Sequence, residues 1–288
     1  MGRSALTRSG TNTVLLFLAY ATSLSGNLLE ATSRAALRNT AAKLIALALQ
    51  LPPSTTLSLS TRATGVSPLA ILALRLSARL KAAADLISEV RTFNRMWNLL
   101  EIYFATKSFV QSLRAAPSSP SSDEKNNTSS SSSSSSRVQK VFDTALAFAM
   151  LASFASFQIT ESTALLGSRK VLPISPATQD RLAMWSVRSW FASTGLDIVR
   201  LVVERRRKLR AAEEAAAQDD EATAAKRRDE LETWSEQWQV EFWRTLAWFP
   251  ITVHYSMGGG LLTELSIAAL SFYPGISQLS EVWLSTTA

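Results

Sequence analysis

The chain contains no cysteine. Disulfides, thiolate metal sites and cysteine nucleophiles are therefore excluded, and any redox compartment is permitted. Histidine is almost as scarce, with His254 the single one in 288 residues. A histidine metal cage or a Ser-His-Asp triad would have to form around that one side chain. It lies in the apolar stretch Pro250-Ile251-Thr252-Val253-His254-Tyr255-Ser256, and Glu264 is the nearest acidic residue. No motif accompanies it, so a satisfied or interfacial histidine is expected. Gly258-Gly259-Gly260 lacks the strand-then-helix context of a phosphate loop and reads as a turn or a site of close helix approach. No catalytic residue, cofactor or metal is expected, and the chain does not read as an enzyme.

What is present is apolar and basic. Hydrophobic residues make up 47 % and mean hydropathy is just above zero. That fits a few membrane-embedded segments among amphipathic ones better than a soluble enzyme or a polytopic transporter. The net charge of +7 is uneven. Residues 1–116 hold 13 Lys/Arg against 4 Asp/Glu, so +9; residues 117–288 hold 17 against 19, so −2. A basic half with apolar stripes points to an anionic phospholipid surface. Nucleic acid is not expected, because the aromatics are not interleaved with the basic residues in a reader pattern.

Residues 13–50 read as one or two helices, with Leu37, Leu44, Ile45 and Leu49 near helical spacing. Arg3 and Arg8 ahead of the apolar run 14–21 give a weak likeness to a signal peptide; an amphipathic first helix is the plainer reading. Pro52-Pro53 stops this element, and 51–67 read as loop. After Pro68, Leu69, Leu72, Leu76, Leu80, Ala83, Ile87 and Val90 recur at three- and four-residue steps, continued by Phe93, Trp97, Leu100 and Phe104. One helix is expected from there to about Arg114, with Lys81 and Asp85 as an ion pair one turn apart. Periodicity alone fits interfacial insertion and a soluble core equally.

Residues 117–136, with the serine run 129–136, read as a disordered linker. Residues 144–160 carry no charge, which is at the short edge of a span. A further helix is expected over 177–210, closing on Arg205, Arg206, Arg207, Lys208 and Arg210, a basic patch that suits lipid head groups or solvent. Residues 245–263 and 265–280 are again uncharged. Their Pro and Gly residues suggest two short or re-entrant pieces, and this stretch is the best membrane candidate, with Trp243, Trp248 and Trp283 at head-group level.

The fold class expected is all-α: a membrane-associated helical bundle with amphipathic helices and a C-terminal membrane-embedded region. It divides into 1–116, a linker over 117–136, and 137–288. Several segments in order also resemble one family. Ser77-Ala78-Arg79-Leu80, the stretch from Asp85 to Trp97, the stretch from Trp185 to Trp190, the basic run after Leu201, and Trp248 to Ser256 resemble the peroxin-11 family, in particular its fungal gamma/C-type branch. The resemblance implies a peroxisomal membrane protein that elongates the membrane and promotes peroxisome division. It implies self-association, other peroxin-11-type partners and recruitment of a dynamin-related fission machinery. Under that reading Leu76, Leu80, Ile87 and Trp97 enter one leaflet while Arg79, Arg91 and Arg95 hold anionic head groups. A solute channel and a secreted or endomembrane helical protein are the competing readings.

Overall fold

The structure is a computed structural model describing residues 8–50, 68–115, 130–216, 221–258 and 260–287. Its elements are α1 (Arg8–Leu49), α2 (Pro68–Arg95), α3 (Asn98–Ala115), α4 (Ser130–Ser168), α5 (Pro176–Ala216), α6 (Glu221–Ser256) and α7 (Glu264–Thr287), with no strand among the described residues. The all-α expectation holds. Residues 117–129 of the expected linker lie outside the described residues, while the rest of the serine run opens α4. Serine is a middling helix former, and the strong helical sequence after it carries the helix back.

The single helix expected from Pro68 to Arg114 is two. A turn at Met96-Trp97 divides it, and the amides of Met96, Trp97, Leu99 and Leu100 each reach a carbonyl three residues back. These tighter bonds redirect the chain between α2 and α3. The start of α5 follows local chemistry: the Ser175 hydroxyl accepts the Thr178 amide at 3.3 Å and Pro176 occupies the first helical position. Thr263 caps α7 in the same way, accepting the Ser266 amide at 3.2 Å. Lys170, with φ of 57°, ends α4 in a left-handed residue, and the Val171 amide returns to the Leu166 carbonyl.

The chain forms two compact units, Met1–Arg91 with Leu262–Ala288, and Thr92–Leu261. The expected sequence order of an N-terminal and a C-terminal region is not how the helices group, because the last helix packs on the first.

In the first unit α1 lies along α7, with Phe17 and Phe272 at 5.9 Å between ring centroids. α2 approaches α1 at Gly26, where a Cβ would stand 3.3 Å from the Ser77 carbonyl oxygen and 3.1 Å from Lys81 Cγ. Only a residue without a side chain lets the backbones come this close. Lys81 bonds Glu30 of α1 at 2.5 Å and Glu264 of α7 at 2.6 Å, tying three helices. The ion pair with Asp85 expected from sequence gives way to these long-range partners.

In the second unit α5 lies antiparallel to α4 on one side and to α6 on the other. Ser156 and Ser189 share a hydrogen bond at 3.0 Å, Phe157 stacks on Trp190 at 6.1 Å, and Arg207 bonds Asp143 at 2.7 Å. Across the other face Trp190 meets Trp248 and Phe191 meets Phe249. The Trp238 indole N–H donates to the Leu201 carbonyl at 2.9 Å.

Candidate membrane interface

The distribution of side chains is inverted relative to a water-soluble bundle. Among the described residues the buried polar set includes Thr13, Asn27, Ser77, Gln158, Ser162, Ser186, Thr252 and Ser271. The buried apolar set is no larger, and four of its members are alanine. Large apolar residues meanwhile stand outside on every helix. Soluble folds keep exposed apolar patches small. Small polar residues at helix contacts with large apolar ones outward is the arrangement of helices in lipid.

α2 shows this residue by residue. Its buried positions are Ala70, Ser77, Ala84 and Arg91, each seven residues after the last. Its exposed positions include Leu69, Leu72, Leu76, Leu86, Val90 and Phe93, with Trp97 next in the series. At about 100° per residue the two stripes lie on well-separated sides of the helix. The periodicity that fits both a core and an interface thus belongs to an outward face. Leu80 and Ile87 are half-buried beside it.

The three arginines expected on head groups divide. Arg79 is exposed. Arg91 is 7 % exposed, its guanidinium 5.6 Å from the centre of the Tyr20 ring. Arg95 bonds Glu161 at 2.6 Å and Thr92 at 3.1 Å, and sits over Phe157. Arg91 and Arg95 therefore bind within the protein, and Arg79 alone of the three faces outward.

The basic patch divides similarly. Arg205 lies 4.4 Å from the Trp238 ring, Lys208 lies 5.8 Å from Trp234, and Arg207 holds Asp143. The hydrogen bond to Asp143 keeps the Arg207 pKa above its ordinary value, against a smaller effect of burial. Arg206 and Arg210 remain as exposed cations. The run works first as a clamp, with Arg205 and Lys208 on α6 and Arg207 on α4.

Among the described residues two helices are long and apolar enough to cross a membrane, α1 over Gly10–Leu49 and α4 over Val138–Ser168. The expected candidate 245–280 is not one of them. It is cut by the turn after Ser256, its halves fall in different units, and each uncharged helical piece is short of a span. His254 acts locally. Its Nδ1 accepts the Leu261 amide at 2.8 Å, stapling that turn.

Sequence reasoning misses the seven-residue seam of α2 and the Lys81 tie. The seam is legible as small residues at 70, 77 and 84; the tie joins residues up to 183 positions apart and leaves no local signal.

No family model matches the chain, and no solved structure does. The chain is similar to an uncharacterized protein of Schizosaccharomyces pombe, 28 % identical over 130 residues, which is 45 % of this chain and 54 % of that protein. It thus spans about half the length of the curated relative it matches.

Proposed function

We propose that the chain is a non-catalytic membrane protein that reshapes a lipid bilayer through its outward apolar helix faces. The observation that carries this reading is the inverted core: serine, threonine and alanine at helix contacts, and leucine, phenylalanine and tryptophan outside. A shallow apolar face expands the leaflet it enters and favours curvature, and exposed cations such as Arg79, Arg206 and Arg210 add attraction to anionic head groups. Apolar burial dominates binding and charge tunes it, since a fully buried leucine contributes about 1.5–3 kcal/mol and a basic contact about 1 kcal/mol.

The segments resembling peroxin-11 proteins support the peroxisomal membrane as the site and division of that organelle as the outcome. On the same reading the chain self-associates, joins other peroxin-11-type proteins and recruits a dynamin-related fission machinery.

The test uses the full chain with anionic liposomes. The parent protein is expected to co-sediment and to tubulate them. The variant Leu72→Ser/Leu76→Ser/Leu86→Ser removes three exposed leucines from one face of α2 and is expected to bind far more weakly. Equal binding by parent and variant sinks the role of that face. Tagged protein in living cells, with organelle number and length counted after deletion, tests the peroxisomal assignment; unchanged peroxisomes count against it.

A further inference from the structure

Length and composition pass α4 as a membrane span. Its neighbour does not. Contacts from Asp143 to Arg207 and from Ser156 to Ser189 show that α5 runs antiparallel beside the uncharged part of α4. Between Ser189 and Arg207, α5 carries Asp197, Arg200, Glu204, Arg205 and Arg206, and Arg188 immediately precedes Ser189. The uncharged stretch of α5 is therefore eight residues, 189–196. At 1.5 Å per residue that is about 12 Å, against about 30 Å for the hydrocarbon core.

α6 does not relieve this. It pairs Glu241 with Arg200 at 2.7 Å and places Arg244 before its own uncharged turns, which end with the helix at Ser256. The Arg200 cluster is open to solvent: Arg200 is 38 %, Asp197 31 % and Glu241 48 % exposed. Arg188 is exposed about three turns away at the other end of the uncharged stretch. Threading α4 through a bilayer would draw these charges into hydrocarbon with it, and ionised groups there are costly.

The outer face of α4 fits a different placement. Val141, Phe148 and Ile159, which lie within about 20° of one another around the helix at 100° per residue, are exposed, and 144–160 is uncharged. We propose that the second unit, Thr92–Leu261, is seated in a single leaflet through the outer face of α4 and does not cross the bilayer. This rests on the membrane reading above and sharpens it. A helix lying along the interface buries its apolar face about 5–10 Å into the head-group and acyl boundary, less than one leaflet, so its insertion expands one side only.

The absence of native cysteine makes the test clean. Single cysteines are placed at the two ends of the apolar part of α4 in the full chain, Val138→Cys and Ser168→Cys, both at exposed positions. Lys140→Cys and Arg169→Cys repeat the pair should either substitution disturb folding. Each variant is bound to preformed anionic liposomes and treated with a membrane-impermeant maleimide, with and without detergent. A one-leaflet placement predicts that the two ends label alike, both before detergent or both only after it. One end labelling freely and the other only after detergent overturns the placement and makes α4 a span. A chain that stays in the aqueous fraction overturns the membrane reading itself, and the placement with it.

Discussion

Trp238 holds the α5–α6 hairpin at one point, and its replacement by phenylalanine gives a calculable loss. The side chain is 6 % exposed, donates its indole N–H to the Leu201 carbonyl, stacks on Phe242 at 4.8 Å and lies under Arg205. Phenylalanine keeps an aromatic ring but loses the hydrogen bond, worth about 1 kcal/mol net. The smaller ring also gives up buried area worth roughly 1 kcal/mol. The sum of about 2 kcal/mol lowers the melting temperature by about 4–8 °C for a unit of this size. Trp238→Ala should cost about 3–5 kcal/mol. The guanidinium contact is separable: at an exposed site it is worth about 0.5–1 kcal/mol. It should register as coupling between Arg205→Ala and Trp238→Leu in a double-mutant cycle. The assay is thermal loss of the helical circular dichroism signal in detergent micelles. If Trp238→Phe melts with the parent, the indole hydrogen bond does not hold the hairpin; zero coupling removes the cation–ring contact.

Other consequences are equally direct. Gly260 has φ of 62° and its Cβ would stand 2.6 Å from His254 Cε1, so Gly260→Ala should destabilise the turn by about 1–3 kcal/mol, read by the same melting assay. Gln158 is fully buried and its Oε1 has no hydrogen-bond partner among the described residues. Gln158→Met should therefore stabilise, by about 1 kcal/mol, and a lower melting temperature contradicts this. Burial pulls the Lys81 pKa down, but its bonds to Glu264 and Glu30 outweigh that and leave it raised. Its contribution is then full below the ordinary lysine value of about 10.4 and is lost as pH rises through the elevated one. The parent's stability should fall more steeply above pH ~10.4 than that of Lys81→Met, and equal slopes would exclude the tie as a source of stability.

Helix positions are largely legible in the sequence because proline, serine capping and apolar spacing are local. The ends of α2, α5 and α7 follow from Pro68, Ser175-Pro176 and Thr263. Which side of α2 faces in is not legible. An apolar stripe marks a core in water and a surface in lipid, and a sequence does not state its solvent. The break at Met96-Trp97 is hidden for a related reason: the stripe runs through it without interruption. Arg91 and Arg95 border that stripe, which suggests head-group contacts, yet Tyr20 and Glu161 receive them. Those partners lie 71 and 66 positions away, beyond any periodicity.

The pairing of α1 with α7 also has a bearing on biosynthesis. Leu49 and Glu264 are separated by 214 residues. At about 5–20 residues per second a ribosome takes roughly 10–40 s to make them. Through that interval the Phe17 face of α1 has no α7 to meet, in a helix apolar enough to enter a membrane. The contacts between α1 and α7 therefore form only once α7 has been synthesised, and the first unit closes last.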